Sequence, residues 1–201
     1  LSCSVALFRG DQLLGDTQAK EDQHVHGKQL LPMIDALLRS NSLGSKDLES
    51  VAVSSGPGSY TGLRIGVSTA KGIAHAHGLA LMAFDSLHVQ AFAAAATGNW
   101  DAVIAVMDAR RDEVYTASFV PQESQFEIAD ETRAIILESN MHAAALFPVL
   151  ARTKKLNRVC IIGDAAEKTR RLLADQLNDC TFVSDFPQAK HMHQLSLSAI
   201  R

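Results

Sequence analysis

Cysteine is scarce: Cys3, Cys160 and Cys180 are odd in number and far apart. That spacing builds neither a disulfide framework nor a paired-cysteine zinc site. A reduced, cytoplasmic protein is the expectation. Aromatic residues make up 5% of the chain. None interleaves with the basic residues near Arg152–Arg158 or at Arg170-Arg171, so no dedicated stacking platform for RNA is expected. Neither sign of charge dominates. A formal net charge of −3 leaves no global positive field to draw the chain to nucleic acid or a membrane. The apolar stretch Ala91–Ala96 is too short to span a bilayer. Leu1 is not a natural initiator, and no charged leader region precedes it, so a true N-terminus upstream is expected. What remains is ordinary: 201 residues, 47% hydrophobic and 20% charged, enough for one large globular domain or two small ones.

Standard catalytic motifs are missing as well. Residues 54–72 run Ser-Ser-Gly-Pro-Gly-Ser-Tyr-Thr-Gly-Leu-Arg-Ile-Gly-Val-Ser-Thr-Ala-Lys-Gly after an apolar strand at Val51–Val53. A strand, a glycine-rich loop and then a helix can build an anion site, because free N–H groups and the helix dipole both favour negative charge. Gly56, Gly58, Ser59 and Thr61 are the candidate anion contacts. Yet Gly62 is followed by Leu63 and Arg64, not by the Lys and Ser or Thr of a P-loop. Thr61 stands where the dinucleotide fingerprint needs a small residue. Ser55, Ser59 and Ser68 lack the Gly-x-Ser-x-Gly elbow of a serine hydrolase, and Ser59 reads better as a helix cap.

Periodicity gives an α/β plan stated twice. Strands at Ser4–Phe8 and Leu13–Asp16 precede a helix over 24–38, a strand at Leu48–Ser54, a helix at Thr61–His77, a strand at Leu79–Ala83 and a helix at Ser86–Ala96. Thr97-Gly98-Asn99 reads as a linker. A second hairpin, Val103–Met107 and Glu113–Val120, is followed by helix at Ser139–Leu150, strand at Arg158–Ile162 and helix at Glu167–Gln176. Two related subdomains, 1–98 and 99–201, are therefore expected.

The apolar residues of helix 24–38, including Leu30, Leu31, Ile34 and Leu38, cover more than one stripe. Such a helix either meets a partner or sits between a sheet and a second helix. In helix 61–77, Gly62, Gly66, Ala70 and Ala74 recur every fourth residue, and Ser68, Gly72 and Ala76 form a second small row. Each helical glycine costs about 1 kcal/mol relative to alanine, so close backbone approach is implied. Packing on the chain's own sheet explains either row alone; two rows favour contact on both sides. The pairs His24/His26, His75/His77 and His191/His193 have i, i+2 spacing, which points helical rings apart and favours surface or capping roles over metal. Asp108 reads as a turn salt-bridge partner of Arg110 and Arg111, and Asp164 as a helix N-cap.

Residues 54–74 closely resemble the signature of the TsaB (YeaZ) family, TsaD-like proteins of the actin-like ATPase (ASKHA) fold. His26–Leu38, Ala105–Tyr115, Ile162–Glu167 and Pro187–Lys190 also look familial, so the resemblance covers nearly the whole chain. On this resemblance the family's first strand and acidic phosphate-loop segment would be expected before Ser2, and its last segment after Arg201. The resemblance implies a non-catalytic activator in making threonylcarbamoyladenosine in tRNA. Its partners would be a TsaD-like ligase and a TsaE-like ATPase, with a homodimer when alone and tRNA met only through the complex. No cofactor is implied. The ligase's metal-binding His-x-x-x-His would fall on Ser86 and Gln90, poor ligands, with His88 between them lacking a partner at the right spacing. The first two helices would form the partner surface, through Leu30, Leu31, Ile34, Leu38, Gly62, Gly66, Ala70, Lys71 and Ala74. The alternative is an ASKHA-type enzyme, a kinase or threonylcarbamoyl transferase, with its own nucleotide site.

Overall fold

The computed structural model describes residues 2–20, 26–122, 125–138, 140–152 and 156–199. Two compact units divide the chain: Leu1–Val89 with Pro187–Arg201, and Gln90–Phe186. The sequence places a boundary at 98/99; the chain instead passes from one unit to the next inside a helix, and its last segment returns to the first unit.

In the first unit, β1 (Ser2–Arg9) and β2 (Gln12–Lys20) form an antiparallel hairpin. Helix α1 (His26–Ser40) lies on this hairpin, close enough that a Cβ on Gly15 would stand 3.0 Å from Leu37 Cδ1. β3 (Ser50–Gly56) and β4 (Ala80–Asp85) pair in parallel, so they need a crossover; α2 (Tyr60–His77) supplies it. Gly78 stops α2 in the left-handed conformation at φ 65. Helix α3 (Ser86–Ala95) follows, apolar nearly all round and correspondingly buried over Val89–Ala94. A 3-10 turn at Ala189–His191 leads into α7 (Met192–Ala199). Ala189 N–H donates to Ser4 Oγ at 2.9 Å, and the His193 ring stacks on Phe8 at 4.2 Å, which ties this segment to β1.

The second unit is one five-stranded sheet. β5 (Ala102–Asp108), β6 (Glu113–Gln122) and β7 (Gln125–Ile136) form an antiparallel meander. β8 (Val159–Ile162) and β9 (Cys180–Val183) add in parallel on the other side of β5, giving the order β7-β6-β5-β8-β9. The strands β5 and β8 are apolar without alternation because both faces are covered; Val103–Val106 and Cys160–Ile162 are fully buried. The helices α4 (Ala143–Leu146), α5 (Val149–Arg152) and α6 (Ala166–Leu173) contribute Leu146, Val149 and Leu173 to the core. Both units thus begin with an antiparallel hairpin and continue with parallel strands. In the first unit these pairs form two separate two-stranded sheets.

Three elements went unread in the sequence: β7, β9 and α7. β7 is an edge strand whose charged residues Glu127, Asp130, Glu131 and Arg133 hide the alternation that marks a strand. The single helix expected over Ser139–Leu150 is two four-residue turns, because Pro148 has no N–H to continue α4.

Candidate functional site

The glycine-rich loop is built by the end of β3. The chain leaves the sheet at Gly56, φ 121, where the peptide to Pro57 is cis. Ser59 Oγ accepts the Gly62 N–H at 3.3 Å, and the Ser59 carbonyl accepts the Leu63 N–H at 2.8 Å. Ser59 is therefore the N-cap of α2, and its hydroxyl is engaged with its own helix. Gly56 and Gly58 lie over Leu63, which a Cβ at either position would touch at 3.4 and 3.8 Å. Thr61 is exposed.

The helical period separates the two small-residue rows of α2. Ala70 and Ala74 are each 6% exposed, and a Cβ on Gly66 would reach Val53 Cγ2 of β3 at 3.9 Å. This row faces the unit's own interior. Ala70 and Ala74 are core positions, which corrects their assignment as surface contacts; Leu38, at 7% exposure, is likewise core. Gly62 and Lys71 are exposed, and Leu30 and Ile34 are half-buried. Leu31 of α1 is 58% exposed.

The outward stripe is Tyr60, Arg64, Ser68, Gly72 and Ala76, at i, i+4 spacing and exposed throughout. A Cβ on Gly72 would meet nothing within 4 Å. At the N-terminal end, Tyr60 is 74% exposed, and the Arg64 guanidinium lies 5.3 Å from its ring centroid. The second small row is legible in the sequence, but periodicity of small residues alone does not reach Tyr60 and Arg64. The signal was an aromatic and an arginine four apart on the same row. An exposed aromatic–arginine pair continuous with residues too small to hold a partner away is a combination that docking helices use.

Ser86 and Gln90, where the resemblance would put the ligase's metal ligands, do not fit a metal. Ser86 is 2% exposed, and its hydroxyl shares a 2.5 Å hydrogen bond with Ser54 Oγ. Gln90 is fully buried, and its Nε2 donates to the Asp185 carbonyl at 2.8 Å. Asp85 Oδ1 accepts the Leu87 N–H at 2.7 Å and so caps α3. Among the described residues no three His, Cys, Asp or Glu side chains converge as a metal site. His75 and His77 are exposed near the end of α2. His24 lies outside the described residues, as does the side chain of His26.

In the second unit, two expectations are corrected. Asp108 Oδ1 pairs with Lys168 Nζ at 2.8 Å, not with the Arg110 or Arg111 side chains. Asp164 does not cap α6; its Oδ1 accepts the Asp108 N–H at 2.8 Å, joining the ends of β5 and β8. Desolvation raises the Asp164 carboxyl above its ordinary value, an effect that solvent moderates because the residue is exposed. Gly163 (φ 146) makes this junction: a Cβ there would lie 1.7 Å from the Val106 carbonyl oxygen.

Two units that each begin with an antiparallel hairpin and continue with parallel strands are the plan of an actin-like ATPase (ASKHA) fold. The profile of the family described as TsaD, tRNA N6-adenosine threonylcarbamoyltransferase, matches residues 18–185. The chain belongs to this family, on its TsaB (YeaZ) branch. It is 35% identical over 140 residues to the tRNA threonylcarbamoyladenosine biosynthesis protein TsaB of Haemophilus influenzae, covering 68% of this chain and 58% of that one. It is 30% identical over 141 residues to TsaB of Escherichia coli, covering 70% of this chain and 60% of that one. The chain thus spans less than two thirds of the length of these relatives. YeaZ from Pseudomonas aeruginosa superimposes with a TM-score of 0.79 at 23% identity, over 99% of this chain and 86% of that one. Among the described residues no helix is long and apolar enough to cross a membrane.

Proposed function

We propose that the chain is a non-catalytic subunit in the synthesis of threonylcarbamoyladenosine in tRNA. It docks on a TsaD-like ligase that works with a TsaE-like ATPase, and tRNA reaches it through that complex. The observation that carries this reading is the exposed stripe Tyr60–Arg64–Ser68–Gly72–Ala76, an open helix face. Half-buried Leu30 and Ile34 and exposed Leu31 on α1 extend the apolar surface. In the absence of the ligase, the same stripe pairs two copies of this chain, because related subunits present related faces. A subunit that binds the ligase's competent conformation raises its activity without contributing a reacting group.

The test is reconstitution. Ligase, ATPase, tRNA, ATP and an activated threonylcarbamoyl donor are incubated with and without the chain. The tRNA is then digested and modified adenosine counted. Modification should require the chain, while the chain alone should show no steady ATP turnover. Full modification in its absence, or sustained turnover by the pure chain, overturns the proposal.

A further inference from the structure

The second unit carries a polar cleft of about 570 Å³ lined by Asp108, Arg111, Asp164, Glu167, Lys168 and Arg171. Three acids and three bases balance in formal charge, but they are not equally tied by contacts. Asp108 Oδ1 takes Lys168 Nζ at 2.8 Å and the Arg110 N–H at 3.2 Å. Lys168 also donates to the Glu113 carbonyl at 2.9 Å. Asp164 is committed to the Asp108 N–H, and Glu167 faces Arg170 at 3.8 Å. Asp108 is thus paired across the cleft by Lys168, Asp164 is held by a backbone N–H, and Glu167 has only the exposed approach of Arg170. Among the described residues, Arg111 and Arg171 line the cleft and have neither a hydrogen-bond nor an ion-pair partner. Two exposed guanidiniums therefore remain for a ligand.

The backbone gives a second, independent indication. Arg110 and Arg111 occupy the turn between β5 and β6 at φ 75 and 49, a region that favours glycine or asparagine. Placing two arginines there retains strain where a stabler choice is available, as functional positions do.

Guanidinium is matched to oxyanions, and its planar fork binds phosphate in a bidentate manner. No aromatic side chain lines the cleft on which a base could stack. We infer that Arg111 and Arg171 form a contact for the phosphodiester backbone of an RNA strand, read without regard to base sequence. This rests on the proposed role in tRNA modification and adds a direct tRNA contact on the second unit of this chain.

The experiment measures anisotropy of a labelled tRNA against the chain bound to its ligase, across a salt series, with Arg111→Ala/Arg171→Ala and Arg111→Lys/Arg171→Lys variants. Both arginines are exposed, so the variants should keep the wild-type melting temperature. The alanine pair should weaken binding about tenfold at low salt and lower the slope of log affinity against log salt by about 2, one per lost phosphate contact. The lysine pair should keep the slope and lose only part of the affinity, and a tRNA of different sequence should behave alike. Unchanged affinity and slope in the alanine pair overturn the inference. So does an arginine-dependent site that binds ATP or inorganic phosphate while tRNA binding stays unaltered. Because modification is counted separately, chain-dependent modification with unaltered tRNA binding sinks only this inference. Arginine-dependent tRNA binding without chain-dependent modification sinks only the activator role.

Discussion

Replacing Gly72 should move two measurements in opposite directions. The residue lies inside an 18-residue helix, is exposed, and has nothing within 4 Å of where a Cβ would sit. Glycine in a helix interior costs about 1 kcal/mol relative to alanine, and leucine is nearly as good a helix former. Gly72→Leu should therefore stabilise the isolated chain by about 1 kcal/mol, or about 2–4 °C in melting temperature for a protein of this size. If a partner helix crosses this stripe closely, the same side chain overfills the contact at about 1–3 kcal/mol. That corresponds to a loss of about 5- to 150-fold in affinity for the ligase, and for a second copy of the chain. Gly72→Ala should show the full stability gain and a smaller binding loss. Thermal unfolding at low concentration reads the first effect; sedimentation and co-purification with the ligase read the second. A Gly72→Leu chain that melts higher and binds unchanged would refute the placement of the interface. One that melts lower would refute the open surroundings of this residue. Ala70→Arg is not an equivalent probe, since a charge at a 6% exposed position disturbs the fold before any interface is reached.

Other expectations follow from the second unit. Gly163→Ala puts a methyl at 1.7 Å from the Val106 carbonyl oxygen with φ at 146, so β5 and β8 must separate; a loss of about 3 kcal/mol or more is expected. A melting temperature within 1–2 °C (roughly 0.5 kcal/mol) of wild type would contradict it. Asp101 Oδ2 accepts the N–H groups of Asn157 and Arg158 at 2.9 and 3.0 Å, and these bonds hold its carboxyl below its usual value of 3.8. A lowered folded value means the stabilisation is present above the unfolded value and lost as pH falls through the folded one. The melting gap between wild type and Asp101→Asn should thus be constant above about pH 5 and close at lower pH; a gap that persists at about pH 2 argues against the assignment.

The sequence by itself determined the doubled α/β plan, the glycine-rich strand-loop-helix and the cap at Ser59. Each is local: an apolar run, a turn, a 3.6-residue period and a short side chain able to bond its own helix. It also determined that α2 carries two small-residue rows, but not which of them turns inward. Alanine and glycine have too little side chain to record their surroundings, so only packing on β3 shows Ala70 and Ala74 as core and leaves Gly72 outside. Tyr60 and Arg64 likewise gain meaning from exposure, which composition does not encode. β7 and β9 were illegible because an edge strand and a four-residue strand take their form from neighbours supplied elsewhere in the chain. The cleft of Arg111 and Arg171 is the extreme case. Asp108 lies 56 residues before Asp164 and 60 before Lys168, and only the juxtaposition of β5 with the segment from β8 into α6 pairs Asp108 with Lys168, seats Asp164 on the Asp108 N–H and leaves two arginines uncommitted.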